Sequence, residues 1–242
     1  LKLESLKDSQ VRQNRFENNE SIISVTNSEI VFEDNLTAEN LRNGIEIYGS
    51  LLPDSVWSGN LPYIPKGMIE VSEGSTLTIV PGMTIRFADH HSGLRVKGTL
   101  KAVGTEEERI LFTSNQDSPS PGNWDGIEIE PESQGTQINW AIIEYAGGGY
   151  GTPCNPVMAS LTIKEATAEV RNTIIRNSHY RGIYLIDTNS VFENIQIEDV
   201  VKCMGIYGGE KITVNGGSPV FIIDEPEPFS QPSDSLLQTP TS

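Results

Sequence analysis

Residues 71–87 read VSEGSTLTIVPGMTIRF, and residues 94–114 read LRVKGTLKAVGTEEERILFTS. Both stretches are built of short runs in which apolar and polar side chains alternate: Leu77 and Ile79, Ile85 and Phe87, Leu94 and Val96. Alternation at period two puts every second side chain on one face of a strand. Gly74, Pro81-Gly82 and Gly98 separate the runs, as turn residues do. Each stretch therefore reads as two or three short strands joined by tight turns.

The pattern recurs along the chain. The triplets Ile69-Glu70-Val71, Leu94-Arg95-Val96, Ile127-Glu128-Ile129, Leu161-Thr162-Ile163, Ile183-Tyr184-Leu185 and Ile206-Tyr207-Gly208 are all aligned on one position of a repeat. Gly93, Gly126, Gly182 and Gly205 precede four of them. From Leu161 to Ile183 is 22 residues, and Ile23-Ser24-Val25 and Ile45-Glu46-Ile47 are spaced the same way. The longer steps, Leu94 to Ile127 and Ile127 to Leu161, read as the same repeat with inserted loops. A period near 22 is too long for a hairpin and too short for a βαβ unit, and the leucine-rich framework is absent. What fits is an all-β fold: a right-handed single-stranded parallel β-helix, in which strands stack on their equivalents one coil away and inward Ile, Leu and Val form the core. Asn172 and Asn194, also 22 apart, are expected to stack at a turn, and Asn18 to begin a similar stack.

Together with NWDGIEI (123–129) and WAIIEYAGGG (140–149), the two quoted stretches resemble the right-handed parallel β-helix repeat proteins of microbial surfaces. Those are relatives in shape of the pectate lyases and other sugar-active β-helices. The resemblance covers residues 53–223 well and 1–52 more loosely. It rests on core and turn residues and carries over no catalytic residue.

Three regions are expected: terminal coils of a preceding β-helix stretch (1–52), a main block (53–223), and an acidic, proline-rich tail (224–242). Pro53, Pro62 and Pro65 mark a junction between the first two, because proline lacks a ladder donor. Long loops are expected within 105–123 and 130–159. The tail and the initial Leu1 suggest a segment of a longer modular protein. A net charge of −16 argues against a nucleic-acid partner. No apolar run reaches the roughly 20 residues of a spanning helix. An extracellular or cell-surface location is expected. Cys154 and Cys203 fit no metal spacing and read as thiols rather than a disulfide.

The middle residues of the triplets should form one outward column: Glu70, Arg95, Glu128, Thr162, Tyr184, Tyr207. Alternating charges there would stabilise the sheet. Tyr184 and Tyr207, if adjacent, would make a flat aromatic surface for sugar rings. A second column, Glu165, Asp187 and Glu210, would put carboxylates at coil spacing, either as solvated turns or as oxygen ligands for calcium. Arg181 and Lys202 lie near these acids in register and could serve as a lyase base. His90-His91 reads as a surface turn. Trp57, Trp124 and Trp140 read as covers for coil ends and loop bases. Asn19-Glu20-Ser21 and Asn35-Leu36-Thr37 are N-glycosylation sequons. The favoured function is a non-catalytic surface module, part rigid spacer and part contact surface for polysaccharide or cell-wall glycan. A polysaccharide lyase or glycoside hydrolase, and a purely structural surface-layer or adhesin segment, are the alternatives.

Overall fold

A computed structural model of the chain describes residues 1–6, 9–28, 30–40, 42–51, 54–148, 158–200, 202–207, 213–215 and 221–223. Among them there is no helix, hence none long and apolar enough to cross a membrane. The strands form three long parallel sheets. The first contains Lys2–Glu4, Ser21–Thr26, Arg42–Tyr48, Tyr63–Pro65, Thr84–Phe87, Ile110–Ser114, Ala141–Glu144, Ile174–Arg176 and Gln196–Glu198. The second runs from Ser50–Leu51 through Met68–Val71, Gly93–Val96, Ile127–Ile129, Ala159–Lys164, Arg181–Ile186 and Lys202–Tyr207 to Phe221–Ile223. The third contains Ser55–Trp57, Thr76–Ile79, Thr99–Val103, Thr136–Asn139, Ala168–Arg171, Val191–Glu193 and Thr213–Asn215. The chain visits the three in turn, so each circuit is one coil of a right-handed parallel β-helix, the hand that twisted strands impose on parallel crossovers. Two short extra ladders, Ser9–Arg12 with Ile30–Glu33 and Arg15–Glu17 with Leu36–Ala38, lie in the first coils.

The register of the second sheet is the one that the triplets predict, from Ile69 to Ile183. Ile69 pairs with Leu94, Leu94 with Ile127, Ile127 with Leu161, and Leu161 with Ile183. All five are fully buried, as are Val71, Val96, Ile129, Ile163 and Leu185. The first sheet adds Ile23, Ile45, Tyr63, Ile85, Phe112, Ile143 and Ile175 in one column. The third adds Trp57, Ile79, Ala102, Ile138, Val170 and Phe192. Burying each large apolar side chain contributes up to about 1.5–3 kcal/mol, and no single coil encloses its own.

Ile23 and Ile45 lie in the first sheet, whereas the later triplets lie in the second. Three expectations need correction. The last triplet is two residues out: Ile183 pairs with Met204 and Leu185 with Ile206. The proline stretch after residue 53 does not break the ladder, because Tyr63–Pro65 pairs with strands on both sides. Proline loses only its donor, and the carbonyls of Pro62 and Pro65 accept from Ile45 and Ala88 at 2.9 and 3.1 Å. The insertions are shorter than expected and shifted: they occupy 115–126 and 145–158, since Ile110–Ser114, Thr136–Asn139 and Ala141–Glu144 are strands. Both insertions fall at the same corner, between the first and second sheets.

The asparagine ladder forms at the corner between the third and first sheets. Asn194 Nδ2 donates to Asn172 Oδ1 at 2.8 Å, and Asn172 Nδ2 donates to Asn139 Oδ1 at 3.0 Å. Asn172 and Asn194 adopt left-handed backbone (φ 47° and 53°), which asparagine tolerates better than other branched or bulky residues. In the first coils the side chains that stack are Asn14 on Asn35 and Asn19 on Asn40, not Asn18. Asn18 instead takes the left-handed turn position beside Asn19.

Candidate functional site

The outward face of the second sheet carries a chain of ion pairs. Lys97 Nζ lies 3.0 Å from Glu70 Oε2. The guanidinium of Arg95 holds Glu128 Oε2 through Nη2 at 3.0 Å and Nε at 3.1 Å, and reaches Glu130 at 3.6 Å. Lys164 meets Glu130 from the following coil at 3.2 Å. The neutralisation expected of Glu70, Arg95 and Glu128 is therefore formed, with Glu70 passed to Lys97. The first sheet has its own version: Arg176 Nη2 lies 2.7 Å from Glu144 Oε2, while Thr113 donates to Glu144 Oε1 at 2.8 Å.

The two insertions meet at the corner between the first and second sheets. Trp124 is fully buried, stacked on Phe87 with ring centroids 3.8 Å apart and planes 3° from parallel. Its indole N–H donates to the Glu144 carbonyl at 2.8 Å, so no polar atom is stranded. The insertions are bonded to each other: Gly148 N–H reaches the Trp124 carbonyl at 2.9 Å, and Gly147 N–H the Asp125 carbonyl at 3.0 Å. They pass so closely that a Cβ on Gly148 would fall onto the Gly122 carbonyl. This explains a glycine requirement in WAIIEYAGGG that no strand pattern demands.

Asp125 is fixed between these contacts, with its N–H donating to the Ser92 carbonyl at 2.8 Å. Burial, reinforced by the negative charge of Glu128, pushes its carboxyl up to about 6, against the opposing pull of Arg95, Lys164 and His91. A part-buried carboxyl raised to about 6 beside a second carboxyl is the kind of pair from which acid–base chemistry is built. Sequence reasoning missed it. The only local hint is Asp125 between Trp124 and Gly126, immediately before a strand.

The residues singled out from sequence are placed as follows. Tyr184 is nearly buried, 7% exposed, and lies across from Gly205, whereas Tyr207 pairs with Ile186. In backbone register Tyr207 therefore lies two residues beyond the position across from Tyr184 rather than opposite it. Tyr184 instead packs on Arg181, whose guanidinium carbon is 4.9 Å from its ring centre and 4.5 Å from that of Tyr180. Arg181 pairs with Lys202 in backbone register and is itself buried. Glu165 and Asp187 are exposed on successive coils, both in left-handed turns (φ 45° and 44°). Glu210 and Cys154 lie outside the described residues, as do the side chains of Tyr207 and Cys203 and the tail 224–242. Among the described residues, no three His, Cys, Asp or Glu side chains are grouped so as to hold a metal ion. His90 and His91 are exposed in their turn, rings 4.0 Å apart. Trp57 stacks on Tyr63 at 4.8 Å, and Trp140 lies under Arg109 at 4.7 Å.

Comparison with known proteins bears on the fold. Over 71 residues the chain is 41% identical to Protein bark beetle of Drosophila melanogaster. That stretch is 29% of this chain and 2% of the relative, so the chain matches only a small part of that much longer protein. No solved structure matches the chain significantly. Residues 49–155 match the pectate-lyase like beta helix domain family. The same three-sheet coil continues on both sides of that stretch, so the chain is a right-handed parallel β-helix that contains a segment similar to this family.

Proposed function

We propose that the chain is a non-catalytic extracellular or cell-surface module, a rigid β-helical spacer whose outer face contacts carbohydrate or cell wall. The observation that carries this reading is the pairing of outward charges along the helix axis: Glu70–Lys97, Arg95–Glu128, Glu130–Lys164 and Glu144–Arg176 each tie one part of the surface to the next. Such a surface is spent on holding coils in line, and a stack of fully buried columns gives a stiff body that needs no partner to stay folded. The acidic composition suits a soluble exported segment.

One observation favours a second reading, a polysaccharide lyase or glycoside hydrolase: Asp125, titrating near 6, shares its surroundings with Glu128, Arg95 and Lys164. One experiment separates the two. The chain is incubated at pH 5 to 8 with plant, algal and bacterial polysaccharides, with and without calcium, and scored for new reducing ends or unsaturated products. The spacer reading expects no product and, at most, retention on a glycan column. Cleavage that disappears in Asp125→Asn overturns it. The calcium arm also tests the Glu165, Asp187 and Glu210 column, where binding would raise the melting temperature and Asp187→Asn would cancel the rise.

A further inference from the structure

The two N-glycosylation sequons of the first coils, which look equivalent in sequence, have opposite surroundings. Asn35 is fully buried. Its Nδ2 donates to the Val11 carbonyl at 2.8 Å, and its Oδ1 accepts from the backbone N–H of Asn14 at 3.1 Å and from Asn14 Nδ2 at 3.2 Å. From the next coil, Asn60 Nδ2 closes on the Asn35 carbonyl at 2.7 Å. A hexosamine on Asn35 Nδ2 would have to occupy the space between these rungs, and the coils would have to separate to admit it. Asn19 is exposed. Its Nδ2 donates to the Glu17 carbonyl and to Asn40 Oδ1, both at 2.9 Å and both at the surface. A sugar there replaces one N–H, leaves the other to keep one of these bonds, and points into solvent. Ser21, the sequon hydroxyl, is half-buried at the start of its strand.

We infer that Asn19 is an N-glycan acceptor and that Asn35 is not one in the folded chain. The step is a transfer from a lipid-diphosphate-linked oligosaccharide. Asn19 Nδ2 forms a bond to the anomeric carbon, the bond from that carbon to the diphosphate oxygen breaks, the lipid diphosphate leaves, and the amide gives up one proton. The transferring enzyme acts on extended chain and does not itself read the fold. The fold sorts the products instead: a chain modified at Asn35 cannot close its first coils, whereas one modified at Asn19 can. The glycan would also cover one corner of the helix near its first coils, and leave the ion-paired face of the second sheet open.

The test is to express residues 1–242 behind a cleavable secretion signal in insect cells. Occupancy is read by intact mass, and by peptide mapping after enzymatic deglycosylation in heavy-oxygen water, which marks each former glycan site as labelled Asp. The expected result is a single glycan per secreted chain, with the label at position 19 and none at 35. Ser21→Ala should abolish it and Thr37→Ala should leave it unchanged. A labelled position 35 in secreted, β-rich chain, or an unmodified Asn19, overturns the inference. If the chain is retained in the cell, occupancy is read on the retained chain, where an empty Asn19 counts against it equally.

Discussion

Two corners of the same coils are built on opposite plans. Where the third sheet turns into the first after Asn139, Arg171 and Glu193, the chain crosses in one or two residues, and Asn139, Asn172 and Asn194 bond to one another from coil to coil. Where the first sheet turns into the second, the crossing takes residues 177–180 in one coil but 115–126 and 145–158 in the two before it. In these three coils the first corner is a repeated device, and each supports the next through one amide. The second carries Trp124, Asp125 and the glycine contact, none of which recurs. The difference teaches where a solenoid can acquire an individual feature. The ladders fix the strand spacing, so new side chains enter only at a corner that is free to lengthen.

The comparison breaks first if the irregular corner is mere decoration. Trp124 is fully buried, face to face with Phe87 and bonded to the Glu144 carbonyl. Removing the indole leaves a large cavity inside the helix, and Trp124→Ala should cost about 3–5 kcal/mol. Urea unfolding of the two proteins checks this. A loss below about 1 kcal/mol would show that the insertion floats on a core that is complete without it.

The regular corner should yield a smaller and divisible loss. Asn172 makes two rungs of the ladder and occupies left-handed backbone at φ 47°. Asn172→Ala forfeits both side-chain bonds and puts an alanine where its Cβ is unwelcome, for about 2 kcal/mol in all. Asn172→Gly keeps the loss of the bonds but relieves the backbone, and should cost about half as much. If alanine and glycine destabilise equally, the ladder stabilises through its hydrogen bonds alone, and the left-handed turn contributes nothing of its own.

The regular parts of the molecule were also the legible ones. Ile69, Leu94, Ile127, Leu161 and Ile183 align by inspection because every one faces the core at period two, and water exclusion leaves no other register. The error at the C-terminal end has a local cause. A glycine precedes the aligned isoleucine or leucine at Gly93, Gly126 and Gly182, so Gly205-Ile206 was matched to them. In the fold Gly205 instead pairs across from Tyr184, and Met204 across from Ile183. That displacement separates Tyr207 from Tyr184. Asp125 was illegible for a different reason. The groups that set its ionisation, Glu128, Arg95, Lys164 and His91, are drawn from four segments between residues 91 and 164. The triplet column already sets Arg95 beside Glu128, but Asp125 lies in an insertion ahead of that column, where no repeat position marks it.

Asp125 also gives the finest test of the contrast, because it asks whether the irregular corner carries a functional strain. Its carboxyl titrates at about 6 in the folded chain, above the ordinary value of about 3.9 for an unfolded one. Between these two values the folded state holds the proton more tightly than the unfolded state does. Stability from this group is therefore fully present below about pH 4 and is lost as pH rises through 6. Two pKa units correspond to about 2.7 kcal/mol at most, and contact with water reduces this to an expected effect of about 1 kcal/mol. Asp125→Asn cannot ionise, so it should match the parent near pH 4 and exceed it by about 1 kcal/mol at pH 7.5, as measured by denaturant unfolding at each pH. Carbon-detected NMR of the Asp125 carboxyl gives the midpoint directly. A midpoint near 4, with no pH-dependent gain in the variant, would make Asp125 an ordinary solvated acid and leave both corners of the coil purely structural. A midpoint near 6 means that the fold tolerates a destabilising carboxyl at the corner that carries the longest insertions, and that is where a search for ligand or substrate should begin.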